Sequence, residues 1–410
     1  MLEILSKAKN SQSLIANLTP KIKEKVIKEM AIQISNAKDE ILKANEKDIK
    51  NATNNLSPAM IARLKLDEKA INSMIVSLND TASLKDPVGR VIDGWKNYCG
   101  LQFQKVAIPI GVVCVIYESR PNVTSEVASL CFKSGNACVL KGGKEAINSN
   151  KAIVKALHKA LQNNGIDESC ITFIDSVDRS DTEKLIKMDK FIDVIVPRGG
   201  SGLINFVTQN STIPVIKHDK GVCHIFVDES ANLQNALKIC INAKVQKPSA
   251  CNAVETILVH KNVASEFLPM LKAEFDALGV KIHGGEKSAK YIDCEFADDA
   301  DYETEYLALE VNLKVVKNCD EAVSHIKKFG SLHSDAILSN NEANIENFVN
   351  SLESACLYIN ASTRFSDGFE FGFGAEVGIS TNKLHARGPM GLNELTTYKY
   401  IIKGNGQIRE

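Results

Sequence analysis

The chain has 410 residues, of which 44% are hydrophobic, so it can bury a large core, and its length suggests two to three domains. Its 49 basic and 50 acidic side chains leave a formal net charge of -1, which excludes a global field that recruits nucleic acid or a membrane surface. No apolar run approaches the roughly 18 residues that span a bilayer, and the N-terminal segment lacks the apolar core of a signal peptide. We therefore expect a soluble cytoplasmic protein.

The segment 1–80 carries apolar side chains at spacings of three and four, with Lys and Glu between them, which predicts amphipathic helices. From about residue 106, short β-branched runs alternate with helical stretches. This alternation predicts parallel sheets covered by helices on both faces. A second set of the same kind begins after about residue 240, where we place a domain boundary.

The C-terminal segment 395–410 is a β-rich stretch that follows a Gly-rich passage. An apolar strand detached from any neighbour in sequence usually pairs with another strand. The segment 100–109 has similar character and is the candidate partner.

Two glycine-containing turns follow predicted strands and indicate a dinucleotide site. In the segment 198–202, RGGSG, glycines let the backbone approach a phosphate at a positive helix end, although the strict G-x-G-x-x-G spacing is absent. In the segment 141–144, KGGK, two ammonium groups suit a 2′-phosphate and favour NADP(H). The alternatives are an ordinary tight turn and a solvated basic turn.

Eleven cysteines lie scattered through apolar segments without a C-x-x-C pair, as expected for buried thiols in a reducing compartment. Cys251 differs, because it lies in a short segment between a predicted helix and a predicted buried strand. A nucleophilic thiol there can be exposed, and the amides of Cys251 and Asn252 can point at one oxyanion. The alternative is one more buried apolar side chain.

The histidines offer little competing chemistry. His218 and His224 lie near Asp219 and Cys223, but no metal-ligand spacing occurs, so we predict no metal site. The nucleophile elbow G-x-S-x-G and the Walker motif are also absent, which argues against the common hydrolases and P-loop NTPases.

Taken in order, these segments resemble the aldehyde dehydrogenase superfamily, and within it the gamma-glutamyl phosphate reductases. The resemblance covers almost the whole chain. It rests on residues 108–146, 196–207, 218–228, 246–260, 304–316 and 364–406.

The resemblance implies roles for individual residues. Cys251 matches the family's nucleophile. Asn122, after Arg120 and Pro121, is similar to the asparagine whose amide shares the oxyanion hole with the cysteine's backbone N–H.

For the cofactor, Lys141 falls where the family's lysine holds the adenosine ribose or its 2′-phosphate. Gly199, Gly200 and Ser201 fall at the pyrophosphate turn, and Glu305 resembles the glutamate that holds the nicotinamide ribose. The substrate anions need cations, for which Arg120, Arg198, Lys247 and Arg364 are the candidates.

The implied fold is α/β and aldehyde dehydrogenase-like, with two parallel-sheet domains and a small β oligomerisation arm. The expected NADPH-binding domain comprises 1–98 and 109–240, and the catalytic domain comprises 241–392. The arm comprises 99–108 and 393–410, so we expect a homo-oligomer, at least a dimer.

Hydrolytic members of the superfamily carry a water-activating glutamate where this chain has Lys217, His218 and Asp219. Its absence favours transfer of the acyl group to phosphate. The implied reaction is the NADPH-dependent reduction of L-glutamyl 5-phosphate to L-glutamate 5-semialdehyde through a cysteine thioacyl intermediate, the second step of proline biosynthesis. Contact with the upstream glutamate 5-kinase would protect the labile acyl phosphate.

Two alternatives stay open. One is an acylating dehydrogenase for another acyl phosphate or a coenzyme A thioester. The other is a non-catalytic dinucleotide-binding subunit that serves as an interaction partner.

Overall fold

The computed structural model describes residues 1–53, 56, 58–217 and 220–409. Within them lie fourteen α-helices: α1 Leu2–Ala16, α2 Pro20–Asn36, α3 Lys38–Ala52, α4 Pro58–Leu64, α5 Glu68–Ser83, α6 Val123–Lys133, α7 Ile147–Asn163, α8 Arg179–Leu185, α9 Ser201–Asn210, α10 Leu233–Val245, α11 Ala264–Ala277, α12 Asp299–Tyr302, α13 Cys319–Phe329 and α14 Glu342–Ser351. None of the helices in the described part of the chain is long and apolar enough to cross a membrane.

The same residues contain sixteen strands: β1 Val91–Lys96, β2 Gln102–Pro109, β3 Val112–Tyr117, β4 Ala137–Gly142, β5 Ile171–Phe173, β6 Val194–Arg198, β7 Cys223–Val227, β8 Val254–His260, β9 Lys281–Gly284, β10 Glu295–Phe296, β11 Glu310–Val316, β12 Ser334–Leu338, β13 Cys356–Ile359, β14 Gly378–Ser380, β15 Gly388–Met390 and β16 Thr396–Lys403. The helices predicted for the segment 1–80 and the later alternation of strands and helices are confirmed.

The described residues divide into two compact units. The first contains residues 1–53, 56, 58–217, 372–378 and 389–409. Its parallel sheet has the order β5-β4-β3-β6, and every residue of β3 and β4 is buried, as expected for strands covered on both faces. Helices α1 and α6 pack against β4, and α7 packs against β5.

A three-stranded antiparallel sheet, β1-β2-β16, forms the β arm of the first unit. Strand β16 pairs with β2 from Thr396 opposite Pro109 to Lys403 opposite Gln102, so the predicted pairing of the two segments is confirmed. On this sheet the ring of Trp95 stacks on Phe103 and meets Tyr400 edge-on.

Of the described residues, the second unit contains 220–371 and 379–388. Its parallel sheet has the order β10-β9-β11-β8-β7-β12-β13. Side chains of the central strands alternate between two cores. Ile257 and Val259 of β8 face the core that α10 and α11 complete, and Leu258 faces the core formed with α13 and α14.

The boundary between the compact units differs from the one placed near residue 240. It falls after residue 217, because β7 pairs with β8 and β12 and therefore belongs to the second sheet. The assignment of cofactor and catalytic roles to the domains stays a prediction.

Candidate active site

Cys251 lies in the loop between α10 and β8. Helix α10 ends at Val245, and the following turn contains a hydrogen bond from the Ala250 N–H to the Lys247 carbonyl, 3.1 Å long. Pro248 in this turn has no N–H with which to continue the helix. Cys251 is therefore held on a short turn and is only half-buried.

The other cysteines occupy different surroundings. Eight of the eleven, all of which lie in the described residues, are buried. Burial raises the pKa of the Cys114 and Cys240 thiols far above the usual range, so these side chains stay protonated and inert. Burial also raises the pKa of Cys294, which is half-buried like Cys251. Partial exposure therefore separates Cys251 from most of the other thiols.

The segment before β7 packs directly against the backbone of Cys251. A Cβ atom at Gly221 would lie 2.0 Å from the Cys251 carbonyl oxygen and 2.8 Å from its Cα. The Cys223 thiol donates to the same carbonyl oxygen at 3.3 Å. Both contacts fix the peptide that carries the candidate nucleophile. Gly221 lies in the segment 218–228 that contributes to the family resemblance, but its contact with Cys251 is visible only in the structure.

The next residue, Asn252, joins this loop to the 3-10 turn Thr363–Phe365. Its buried side-chain amide donates to the Ser366 carbonyl at 2.8 Å, and its own carbonyl accepts from the Thr363 hydroxyl at 2.7 Å. The turn is therefore held beside the loop at two points.

Arg364 lies in that turn, and its charge interacts with Cys251. Burial lowers the pKa of the Arg364 guanidinium, and the nearby Cys251 and Asp367 oppose this effect. Its Nε donates to the side chain of Gln246 at 2.8 Å, which directs the guanidinium toward the nucleophile loop. A neighbouring cation stabilises a thiolate. Lys247 is exposed on the same loop, so two of the four predicted cations accompany Cys251.

Glu305 follows α12 in the same unit and is half-buried. Burial raises the pKa of Glu255 in β8 to about 7, and the negative charge of Glu305 adds to this rise. Glu305 therefore lies within electrostatic range of the strand that begins three residues after Cys251.

The predicted pyrophosphate turn joins β6 to α9 in the first unit. Gly200 is the N-cap of α9 and provides no side-chain cap. Its N–H donates to the carboxylate of Glu118 at 2.9 Å, and a Cβ at Gly199 would lie 2.3 Å from the same oxygen atom. An anionic oxygen thus occupies one amide of the turn, and Ser201 is exposed at its end. Glu118 was not anticipated from the sequence.

The two predicted cofactor lysines differ in exposure. Lys141 is only 6% exposed and its Nζ donates to the Ser176 carbonyl at 2.5 Å. Burial lowers the pKa of Lys141, and nearby carboxylates, Asp181 first, oppose this effect. Lys144 is exposed at the start of a 3-10 helix, and the carboxylate of Glu145 next to it accepts from the Ser119 N–H at 2.7 Å.

The remaining candidates, Arg120, Asn122 and Arg198, also belong to the first unit. Arg120 and Arg198 are half-buried. Asn122 precedes α6, and its side-chain amide donates to Glu126 at 3.0 Å. A Cβ at Gly378 would lie 2.8 Å from Nη1 of Arg198, so a side chain there would displace this guanidinium.

The segment that replaces the water-activating glutamate is described in part. Lys217 is half-buried, and His218 and Asp219 lie outside the described residues. His224 is fully buried, and its Nδ1 lies 3.2 Å from the Asp335 carboxylate. Across the described part of the chain, no three His, Cys, Asp or Glu side chains come together as a metal site would require.

Comparison with known proteins assigns the chain to a family. The sequence model of the aldehyde dehydrogenase family matches residues 2–288. The gamma-glutamyl phosphate reductase of Nautilia profundicola is 55% identical to this chain, and the alignment covers 100% of both chains. The gamma-glutamyl phosphate reductase of a Sulfurovum species is 52% identical, and the alignment covers 99% of both chains. The crystal structure of the Thermotoga maritima gamma-glutamyl phosphate reductase matches with a TM-score of 0.97 at 46% identity, over 100% of this chain and 99% of that one. The chain belongs to the aldehyde dehydrogenase family and, within it, to the gamma-glutamyl phosphate reductases.

Proposed function

We propose that this protein reduces L-glutamyl 5-phosphate to L-glutamate 5-semialdehyde and phosphate with NADPH, as the second step of proline biosynthesis. The full-length similarity to gamma-glutamyl phosphate reductases supports this substrate. The observation that carries the mechanism is the half-buried Cys251, held on a turn that Asn252 joins by hydrogen bonds to the turn containing Arg364.

In the proposed reaction, the Cys251 thiolate attacks the γ-carbonyl carbon and a carbon–sulfur bond forms. The bond from that carbon to the phosphate oxygen breaks, phosphate leaves with the electron pair, and a thioacyl enzyme remains. NADPH, when bound, supplies the hydride that reduces the thioester carbonyl. The carbon–sulfur bond then breaks and the Cys251 thiolate is restored. Covalent catalysis divides one hard reduction into two easier steps.

Each tetrahedral species carries a negative oxygen, which the backbone N–H of Cys251 and the side-chain amide of Asn122 are proposed to stabilise. Loss of one such donor typically lowers the rate by about 10²–10³-fold. Arg364 and Lys247 are the cations we assign to the phosphate or carboxylate of the substrate in the second unit. Arg120 and Arg198 are the corresponding proposals in the first unit.

The residues of the first unit fit a nicotinamide dinucleotide, the cofactor class of the family. The helix start at Ser201 has no side-chain cap, as a pyrophosphate site requires. The Gly200 N–H donates to the Glu118 carboxylate, which would have to release it to a bound pyrophosphate. Gly199, Gly200 and Ser201 would hold the pyrophosphate, and Lys141 with the exposed Lys144 would hold the 2′-phosphate of NADP(H). In the second unit, Glu305 would hold the nicotinamide ribose.

The proposal also includes a homo-oligomer formed through the β arm, a cytoplasmic location and contact with glutamate 5-kinase. The arm presents exposed Trp95, Tyr398, Tyr400 and Ile402, which is apolar surface suited to a second copy of the chain.

The proposed function is tested by intact-mass spectrometry of the enzyme mixed with L-glutamyl 5-phosphate without reductant. We expect one glutamyl adduct, mapped to the peptide that contains Cys251. In the reverse direction, oxidation of L-glutamate 5-semialdehyde by NADP should require phosphate. An enzyme that forms the adduct from a coenzyme A thioester instead, or that oxidises the semialdehyde equally well without phosphate, would contradict the proposal.

The cofactor preference is tested at Lys144. We expect Lys144→Ala to raise KM for NADPH about tenfold, because the variant lacks the exposed ammonium group that would bind the 2′-phosphate. A tenfold change corresponds to the loss of about one charge-assisted hydrogen bond. KM for NADH should not change. The matched control is Lys155→Ala, which removes an exposed lysine of α7 paired with Glu40 at 2.9 Å. Equal Michaelis constants for the two cofactors in the unmodified enzyme would refute the assignment.

A further inference from the structure

A fully buried ion pair lies at the base of the nucleophile loop. Lys244 is in the last turn of α10 and Glu255 is the second residue of β8, so the two residues bracket the loop that carries Cys251. Both side chains are 0% exposed, and Lys244 Nζ lies 2.7 Å from Glu255 Oε2. Removing two charges from water is unfavourable unless both groups gain further hydrogen bonds. The other groups that bond to this pair therefore indicate which part of the protein it holds in place.

Those groups belong to the backbone of two consecutive residues, Leu307 and Ala308, in the segment after Glu305. The Leu307 N–H donates to Glu255 Oε1 at 3.4 Å, and Lys244 Nζ donates to the Ala308 carbonyl at 3.3 Å. Leu307 has φ +53°, a left-handed conformation that is uncommon for a leucine and persists only where the surroundings hold it. The ion pair therefore binds the segment at its strained residue.

Tyr306 also anchors this segment. Its hydroxyl donates to the side chain of Asn312 at 3.0 Å, and its ring stacks on His283 with centroids 5.1 Å apart. The three residues that follow Glu305 are thus each attached to the sheet or to the buried pair. This leaves little freedom in the backbone that directs the Glu305 side chain.

We infer that Lys244 and Glu255 are positioning residues, which hold the segment 305–308 in the conformation that presents Glu305 to the nicotinamide ribose. This inference rests on the proposed function, because it takes Glu305 as a cofactor residue. If the ion pair only stabilised the fold, a different effect on cofactor affinity would be expected. Replacing a buried ion pair with apolar side chains of similar volume is often neutral or stabilising, so cofactor affinity would then not change.

The test is the double variant K244M/E255M, which removes both charges without leaving one unpaired. We expect the dissociation constant of NADP, measured by calorimetry, to rise about tenfold. Hydrogen exchange at the Leu307 amide should become about tenfold faster. The rate at which Cys251 is alkylated in the absence of cofactor should stay within about twofold, which shows that the nucleophile loop is intact.

The chain offers a matched control in the first unit. Lys23 and Asp86 form a second buried ion pair, with the charged atoms 2.9 Å apart and side chains 0% and 5% exposed. The variant K23M/D86L should leave the NADP dissociation constant unchanged. A K244M/E255M protein with unaltered NADP affinity and unaltered exchange at Leu307 would overturn the inference.

The variant E305A tests separately the assumption that Glu305 binds the cofactor. It should weaken NADP binding about as much as K244M/E255M does. If E305A binds NADP with normal affinity, the inference is overturned through its premise about Glu305. The Cys251 adduct experiment tests the proposed reaction independently, so the two failures are distinguishable.

Discussion

Cys251→Ala is expected to lower kcat/KM for L-glutamyl 5-phosphate by about 10⁴-fold or more, because it removes the atom that forms the covalent intermediate. Loss of a catalytic nucleophile removes most of the rate enhancement of an enzyme that depends on it. A factor of about 10⁴ corresponds to roughly 5.5 kcal/mol of transition-state stabilisation. Cys251 is half-buried, so the substitution should change the stability of the fold little. The assay is NADPH oxidation with the acyl phosphate, with the thermal midpoint as the measure of folding.

The control for this variant is Cys294→Ala. Cys294 is also half-buried and lies in the same unit, and burial raises the pKa of its thiol. Its removal should leave kcat/KM within about twofold. A second readout is alkylation by iodoacetamide, which should modify Cys251 fastest and should be slowed by substrate. If the Cys251→Ala protein retains more than about 1% of the activity, the cysteine mechanism is wrong.

The elements of the fold could be predicted where local sequence determines them. The β-branched runs that became β3 and β4 are buried on both faces, and the segment 1–80, with its apolar side chains at helical spacing, forms α1 to α5. Strand β1 was missed because all six of its residues are exposed, so its sequence shows no alternation between apolar and polar faces. The domain boundary was misplaced because pairing of β7 with β8 and β12 is a long-range choice that composition does not encode.

The candidate site could likewise be predicted only where local sequence determines it. The turn that carries Cys251 was predictable, since a helix, a Pro-containing segment and a buried strand follow one another within a few residues. The contacts that fix this turn come from distant parts of the chain. Gly221 and Thr363 are ordinary residues in the sequence, and only folding brings them against Cys251 and Asn252. Glu255 lies in the strand predicted to be buried, but charged residues are normally exposed, so its buried pairing with Lys244 was equally invisible.

The contact at Gly221 gives the second large expected effect. A Cβ there would lie 2.0 Å from the Cys251 carbonyl oxygen and 2.7 Å from its carbonyl carbon, far inside van der Waals contact. All three of the nearest atoms belong to the backbone of Cys251, so no side-chain rotation can relieve the overlap. In Gly221→Ala the backbone of residue 221 and the peptide of Cys251 must therefore move apart, which changes how the nucleophile is held. A displacement of about 1 Å in a catalytic group can lower the rate about 10²-fold, which is the fall in kcat that we expect.

This effect must be separated from a general loss of stability, because added atoms in a packed region cost about 1–3 kcal/mol. Gly279→Ala is the control in the same unit. Its φ of +71° makes alanine unfavourable by roughly 1–2 kcal/mol, but no heavy atom lies within 4 Å of the new Cβ. Both variants should lower the thermal midpoint, whereas only Gly221→Ala should lower kcat and slow the alkylation of Cys251. Equal kcat values in the two variants would mean that the packing of Gly221 against the nucleophile has no part in catalysis.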